Sequence, residues 1–143
     1  MMPNMIEGYL LRFGSPDDRD LDGEYFSSNT EFNLDNLNGK TIMIRAVNSD
    51  VILESIGSFH NQNLDDKGIF LTGHLNFGSI DKKQFDYLQE MIDRNIMFFA
   101  PAGKFDIDEN GVITKADIHY ALITSTPTDP NATPVRIVED EEK

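Results

Sequence analysis

There is no cysteine in this chain. That absence excludes disulfides, thiolate metal ligands and a cysteine nucleophile. It also fits a protein assembled in a reducing compartment. Basic residues are scarce. Twelve Lys and Arg stand against 25 Asp and Glu, for a net charge of −13. A surface of that sign repels phosphate backbones, and no Lys/Arg cluster interleaves with aromatics, so nucleic acid is not an expected partner. The charge gives solubility and favours a basic partner surface or cations. No apolar run approaches the ~18 residues of a membrane span, so no membrane partner is expected. Met1 to Met5 lacks the basic flank and apolar core of a secretory signal. There is no internal repeat.

What is present suits a globular chain. The 143 residues are 39% apolar and include ten Phe. That is enough for one domain with a buried core, expected over residues 1–135, with an acidic tail over 136–143. No cofactor is expected.

Ile6 to Phe13 reads as a first strand ending at Gly14, followed by loop chemistry in Ser15 to Asp20. Glu24 to Phe26 reads as a short strand before a polar stretch, Ser27 to Asn38. Thr41 to Val47 is a buried strand, and Val51 to Ser55 continues it or starts another. Ile56 to Phe59 and Ile69 to Leu75 flank Asp65-Asp66-Lys67-Gly68, whose residues suit a hairpin turn. Asp81 to Met97 is the one expected helix. Phe85, Leu88, Ile92 and Ile96 form its apolar face, Tyr87 and Met91 widen it, and Asp81 caps it with Gln84 three residues on. Pro101 and Gly103 end any helical continuation. Lys104 to Ile107, the turn Asp108 to Gly111 and Val112 onward suggest a hairpin. Ile118 to Thr126 is read as the last strand, before a tail stiffened by Pro127, Pro130 and Pro134. The fold class is therefore α+β, mainly β: a small curved sheet or partly closed β-barrel with one main helix.

Two end segments carry a resemblance. The first is Ile6-Glu7-Gly8-Tyr9-Leu10-Leu11-Arg12-Phe13-Gly14, then Asp20-Leu21-Asp22-Gly23-Glu24-Tyr25-Phe26. The second runs from Ala121 to Ala132 and ends Ser125-Thr126-Pro127-Thr128-Asp129-Pro130-Asn131-Ala132. Together they resemble the prohead (capsid maturation) proteases of tailed bacteriophages, which share a fold with herpesvirus maturation proteases. The resemblance implies a serine nucleophile with a histidine base and a third, orienting group. The base's place falls near Ala46-Val47-Asn48, between the strand at Thr41 and Ile56-Gly57. The nucleophile's place falls in Phe98-Phe99-Ala100-Pro101-Ala102-Gly103, at Pro101 or Ala102. Neither place holds a residue able to do the chemistry. The expectation is thus a protease-like fold without catalytic residues. It would serve as a non-enzymatic head protein, a decoration, cement or assembly factor. Its partners would be the major capsid protein or other head proteins, with possible self-association, in the virion and in the host cytoplasm during assembly.

Two alternatives stand beside it. A displaced dyad would use His60 or His74 with Ser58, Ser79 or Ser125, giving an active maturation protease; otherwise these histidines, and His119, are structural. Separately, Asp106, Asp108, Asn110, Gly111, Ile113 and Asp117 have the spacing of an EF-hand calcium loop. That loop needs a helix entering at its first position, and Pro101 and Gly103 break the entering segment. A plain Asp-Glu-Asn-Gly hairpin turn explains the same letters.

Overall fold

A computed structural model describes residues 5–45, 53–76 and 82–138. The expected base position at Ala46 to Asn48, Ser79 and the expected cap Asp81 lie outside the described residues. The fold is mainly β with one α-helix. In chain order come β1 (Met5–Arg12), β2 (Tyr25–Phe32), a 3-10 turn (Leu34–Asn36), β3 (Thr41–Arg45) and β4 (Leu53–Leu64). Then follow β5 (Gly68–Leu75), α1 (Lys82–Asp93), β6 (Phe98–Ile107), β7 (Val112–Thr124) and β8 (Arg136–Ile137). One open mixed sheet runs β2-β7-β3-β4-β5-β1-β8, with β6 on the other side of β7. A single parallel bridge, Phe13 to Phe26, brings the end of β1 to β2.

β7 organises the sheet. Ile113, Ala116, Ile118, Ala121 and Ile123 face the core with at most 2% exposure. One edge of β7 carries β6 antiparallel along its length. The other edge is shared by two parallel partners. β2 reaches Ala116, and β3 begins at Tyr120. The gap at Ile118 would strand a buried backbone donor and acceptor. Asn33 fills it: its Nδ2 donates to Ile118 O at 3.0 Å, and its Oδ1 accepts from Ile118 N at 2.9 Å. A side-chain amide thus stands in for one residue of strand.

The remaining core comes from Ile6, Leu10, Ile42, Ile69 and Leu71, all nearly inaccessible, on strands that alternate inward and outward. Phe85, Leu88 and Ile92 of α1 join them, as the helical spacing predicts. Three expectations for this helix need correction. It stops at Asp93, because Asn95 takes φ 61° and a Schellman pair closes it, Ile96 N–H to Met91 O and Asn95 N–H to Ile92 O. Ile96 therefore lies beyond the helix. Tyr87 points to solvent at 56% exposure and does not widen the apolar face.

Several strands run longer than expected. Pro101 and Gly103 do not break the chain after α1; they lie inside β6, which starts at Phe98. β6 pairs only with β7 on the ladder, and an edge strand tolerates a proline that lacks its N–H. The register shifts between Ala102 and Gly103, and a Cβ on Gly103 would overlap Asp117 O. The short strand expected to end at Phe26 continues as β2 through the polar residues to Phe32. Val112 to Thr124 is one strand, not two. Ile118 onward is not the last strand either, since Arg136–Ile137 pairs with Ile6 and Glu7 of β1.

Candidate functional site

The two segments that carry the sequence resemblance meet in space, about Arg12 at the end of β1. Gly14 N–H bonds Phe26 O, and the chain turns so tightly that a Cβ on Gly14 would overlap Asp18 O. That turn brings Asp18 back onto Arg12, with NH1 and NH2 each 3.2 Å from one carboxylate oxygen. From the other chain end Asp129 approaches the same guanidinium, at 3.0 Å from Nε and 3.0 Å from NH2. Arg12 is thus held by two bidentate carboxylates, the geometry its planar fork favours. Asn131 Nδ2 adds a bond to Asp18 Oδ1 at 3.1 Å, and Leu21 N–H donates to Thr128 O at 2.8 Å. The hydrogen bonds to Asp129 raise the Arg12 pKa, partial burial opposes them, and Asp18 adds to the rise. The bond from Arg12, then that from Asn131, holds the Asp18 carboxyl below its ordinary value.

The loop between β1 and β2 is locked by its own polar groups. Asp20 Oδ1 accepts the N–H of Asp22 and of Glu24, both at 2.9 Å. Gly23, at φ 81°, completes the turn. Arg19 lies over the Tyr25 ring at 5.2 Å and donates to Gly23 O and Asn110 O at 2.9 and 2.8 Å. The loop is thereby docked on the β6–β7 hairpin. This brings Asp20, Asp22 and Glu24 together, with ligand oxygens within 4.8 Å of one another. Burial raises the Glu24 pKa, and the charges of Asp20 and Asp22 raise it further.

A cavity of about 270 Å³ opens beside these groups. It lies between Tyr9–Arg12 of β1 and Phe99–Pro101 of β6, two strands that come close but share no ladder. Phe26, Phe105 and Ile113 give it apolar walls; Asp18, Asp20, Asp22, Glu24 and Asp129 give it acidic ones. Among the described residues no histidine or serine lines it.

The calcium-loop letters fold as a hairpin turn. Strand β6, not a helix, enters Asp106. Asp108 Oδ1 is used locally, accepting Asn110 N–H at 2.9 Å and Val112 N–H at 3.0 Å. Gly111 sits at φ 86° beneath Arg19 and Gly23. Among the described residues the carboxylates that converge are Asp20, Asp22 and Glu24, not Asp106, Asp108 and Asp117.

The histidines are dispersed. His119 Nε2 lies 3.4 Å from Asp117 on the outer face of β7, both half-exposed. His60 is exposed on β4, where the register with β5 shifts. Ser125 is exposed just past β7. One His–Ser pair is juxtaposed: Ser58 of β4 stands opposite His74 of β5 in the ladder. At the expected nucleophile position, Pro101 and Ala102 pair with Ala121 and Tyr120 in the middle of β6.

The Arg12 cluster is not among the sites the sequence suggests: Arg12, Asp129 and Asn131 lie in the two end segments, but Asp18 lies in the loop between the two parts of the first. A lone cation in an apolar strand, with Asp-rich turns at both chain ends, was the available signal. Against known proteins, no family model matches the chain, and no curated protein matches it.

Proposed function

We propose that this chain is a non-enzymatic component of a bacteriophage head, built like a prohead or herpesvirus-type maturation protease but without the protease chemistry. The observation that carries this reading is the pair of vacant positions. Under the resemblance the nucleophile's place falls at Pro101 or Ala102, both inside β6, and neither offers a hydroxyl. Ala46-Val47-Asn48 occupies the base's place, where none titrates as a base. Acyl transfer needs an activated hydroxyl within hydrogen-bond reach of an imidazole, and these positions offer neither. The meeting of both end segments around Arg12 adds weight, because the residues behind the resemblance form one structural unit.

In this role the protein binds the major capsid protein, other head proteins or further copies of itself, through its acidic surface and the edge of β6. It works in the virion, after assembly in the host cytoplasm. Mass spectrometry of purified particles tests this, reading copy number and capsid-protein termini together. Many intact copies in the particle support the role. Absence from particles, with capsid trimming that requires this chain, defeats it.

A second reading, an active protease with a displaced dyad, has one observation in its favour: Ser58 and His74 are cross-strand partners. Ser58→Ala and His74→Ala would each abolish capsid trimming under that reading. Unchanged trimming in both variants removes it.

A further inference from the structure

We propose that the cavity between β1 and β6 is a docking site for a lysine side chain presented by a partner polypeptide. Two features of the same cavity point to this occupant. Its apolar walls, from Leu10, Phe26, Phe99, Phe105 and Ile113, suit an aliphatic stem rather than a bare ion. The charged part of its polar wall is mainly anionic: five carboxylates stand against one guanidinium, beside the neutral Tyr9, Tyr25, Thr128 and Thr133.

The charge there is unbalanced. Arg12 is engaged by Asp18 and Asp129 on both sides of its fork. Asp20, Asp22 and Glu24 have no ion pair to any cation among the described residues, although their oxygens lie within 4.8 Å of one another. Burial and the neighbouring charges already resist ionisation of Glu24. An incoming ammonium relieves that repulsion, and the low-dielectric wall beside it strengthens the attraction. The other candidate occupants fit less well. The acidic tail of this chain and any nucleic acid carry the wrong sign. A divalent cation is satisfied by oxygens and gains nothing from the apolar wall.

The inference concerns the isolated protein and does not rest on the head-component reading. Its test is an amide NMR titration of the full chain with Nα-acetyl-lysine-N-methylamide. The norleucine analogue, which keeps the stem and removes the charge, and calcium chloride are run in parallel. The expected result is saturable shifts confined to the cavity lining, residues 9–14, 18–26, 99–105, 113 and 127–133, with the lysine probe and none with norleucine. Combining Asp22→Asn with Glu24→Gln should weaken binding about tenfold, through lost charge pairing. Neither of these side chains makes a hydrogen bond among the described residues, so amide shifts remote from the cavity should stay in place and report an intact fold. Equal shifts with norleucine overturn the proposal. So do lysine shifts spread over the acidic surface and indifferent to the double variant, or saturation by calcium where the lysine probe has no effect.

Discussion

Replacing Arg12 with Met keeps the stem of the side chain and removes the group that joins the two chain ends. The wild-type guanidinium makes four N–H···O contacts of 3.0 to 3.2 Å with Asp18 and Asp129. A hydrogen bond to a charged group contributes about 1.5–3 kcal/mol, while an exposed ion pair contributes at most about 1 kcal/mol. Arg12, Asp18 and Asp129 retain 22%, 33% and 28% exposure, so the cluster falls between those limits. A loss of roughly 2 kcal/mol is expected at pH 7, or about 8 °C in melting temperature for a domain of this size. The effect should depend on pH with a definite sign. The folded-state pKa of Asp18 is depressed, so its contribution is complete above the unfolded value and is lost as pH falls through the folded one. Urea denaturation of wild type and Arg12→Met at neutral pH and in stepwise acid reads this directly. The stability gap should close as pH drops below the ordinary carboxylate value of 3.8. A gap under about 0.5 kcal/mol at pH 7 would place the cluster among ordinary surface pairs and refute the argument. A gap that persists unchanged in acid would refute it as well.

Other substitutions probe separate parts of the fold. Asn33→Ala leaves the Ile118 N–H and C=O without their partner, and should cost about 2–3 kcal/mol in urea denaturation. Ile118→Ala, at 0% exposure, should cost about 3 kcal/mol through lost transfer energy and a residual cavity. Gly14→Ala forces a Cβ against Asp18 O and within 2.9 Å of Tyr25 Cβ. It should destabilise by about 1–3 kcal/mol and shift the amide resonances of residues 15–25. Asp108→Ala removes the acceptor for two turn N–H groups. Its cost of about 1 kcal/mol should be the same with and without about 1 mM calcium; a calcium-dependent cost would reinstate the loop as a metal site.

The parts of this fold legible from sequence are those where a local period or turn residue decides the outcome. Phe85, Leu88 and Ile92 recur at helical spacing, and all three are buried. Asp65 and Gly68 close the β4–β5 hairpin, with Asp65 Oδ1 accepting the N–H of Lys67 and Gly68. The start of β6 at Phe98 is hidden in the sequence because Pro101 and Gly103 are breakers in most settings; its position at a sheet edge makes the proline acceptable. The expected strand at Glu24 to Phe26 stops short of the observed β2 because Ser27, Ser28 and Asn29 are polar, yet the strand is held by tertiary pairing with β7 and by Thr30 Oγ1 donating to Ile113 O at 2.5 Å. Tertiary context overrides intrinsic preference in both cases. The pairing within the Arg12 cluster is hard to read for another reason, although the lone cation and the Asp-rich turns hint at it. Arg12 and Asp129 are 117 positions apart, and charged surface residues carry no periodic mark of their partners.

The pairing of β8 with β1 sets a schedule for synthesis. β1, which precedes the other described strands, is flanked in the finished sheet by β5 and by the last two strand residues of the described chain. From Arg12 to Ile137 a ribosome adds 125 residues, which takes roughly 6–25 s at 5–20 residues per second. For that interval the outer edge of β1 waits, with its inward face of Ile6, Leu10 and Leu11 already committed to a core that is not yet closed. A nascent chain in that state presents an unpaired edge to its neighbours on the same polysome. The acidic turns at Asp17-Asp18 and Asp20 to Glu24 emerge right behind that edge, and like charge there disfavours edge-to-edge contact between adjacent nascent copies.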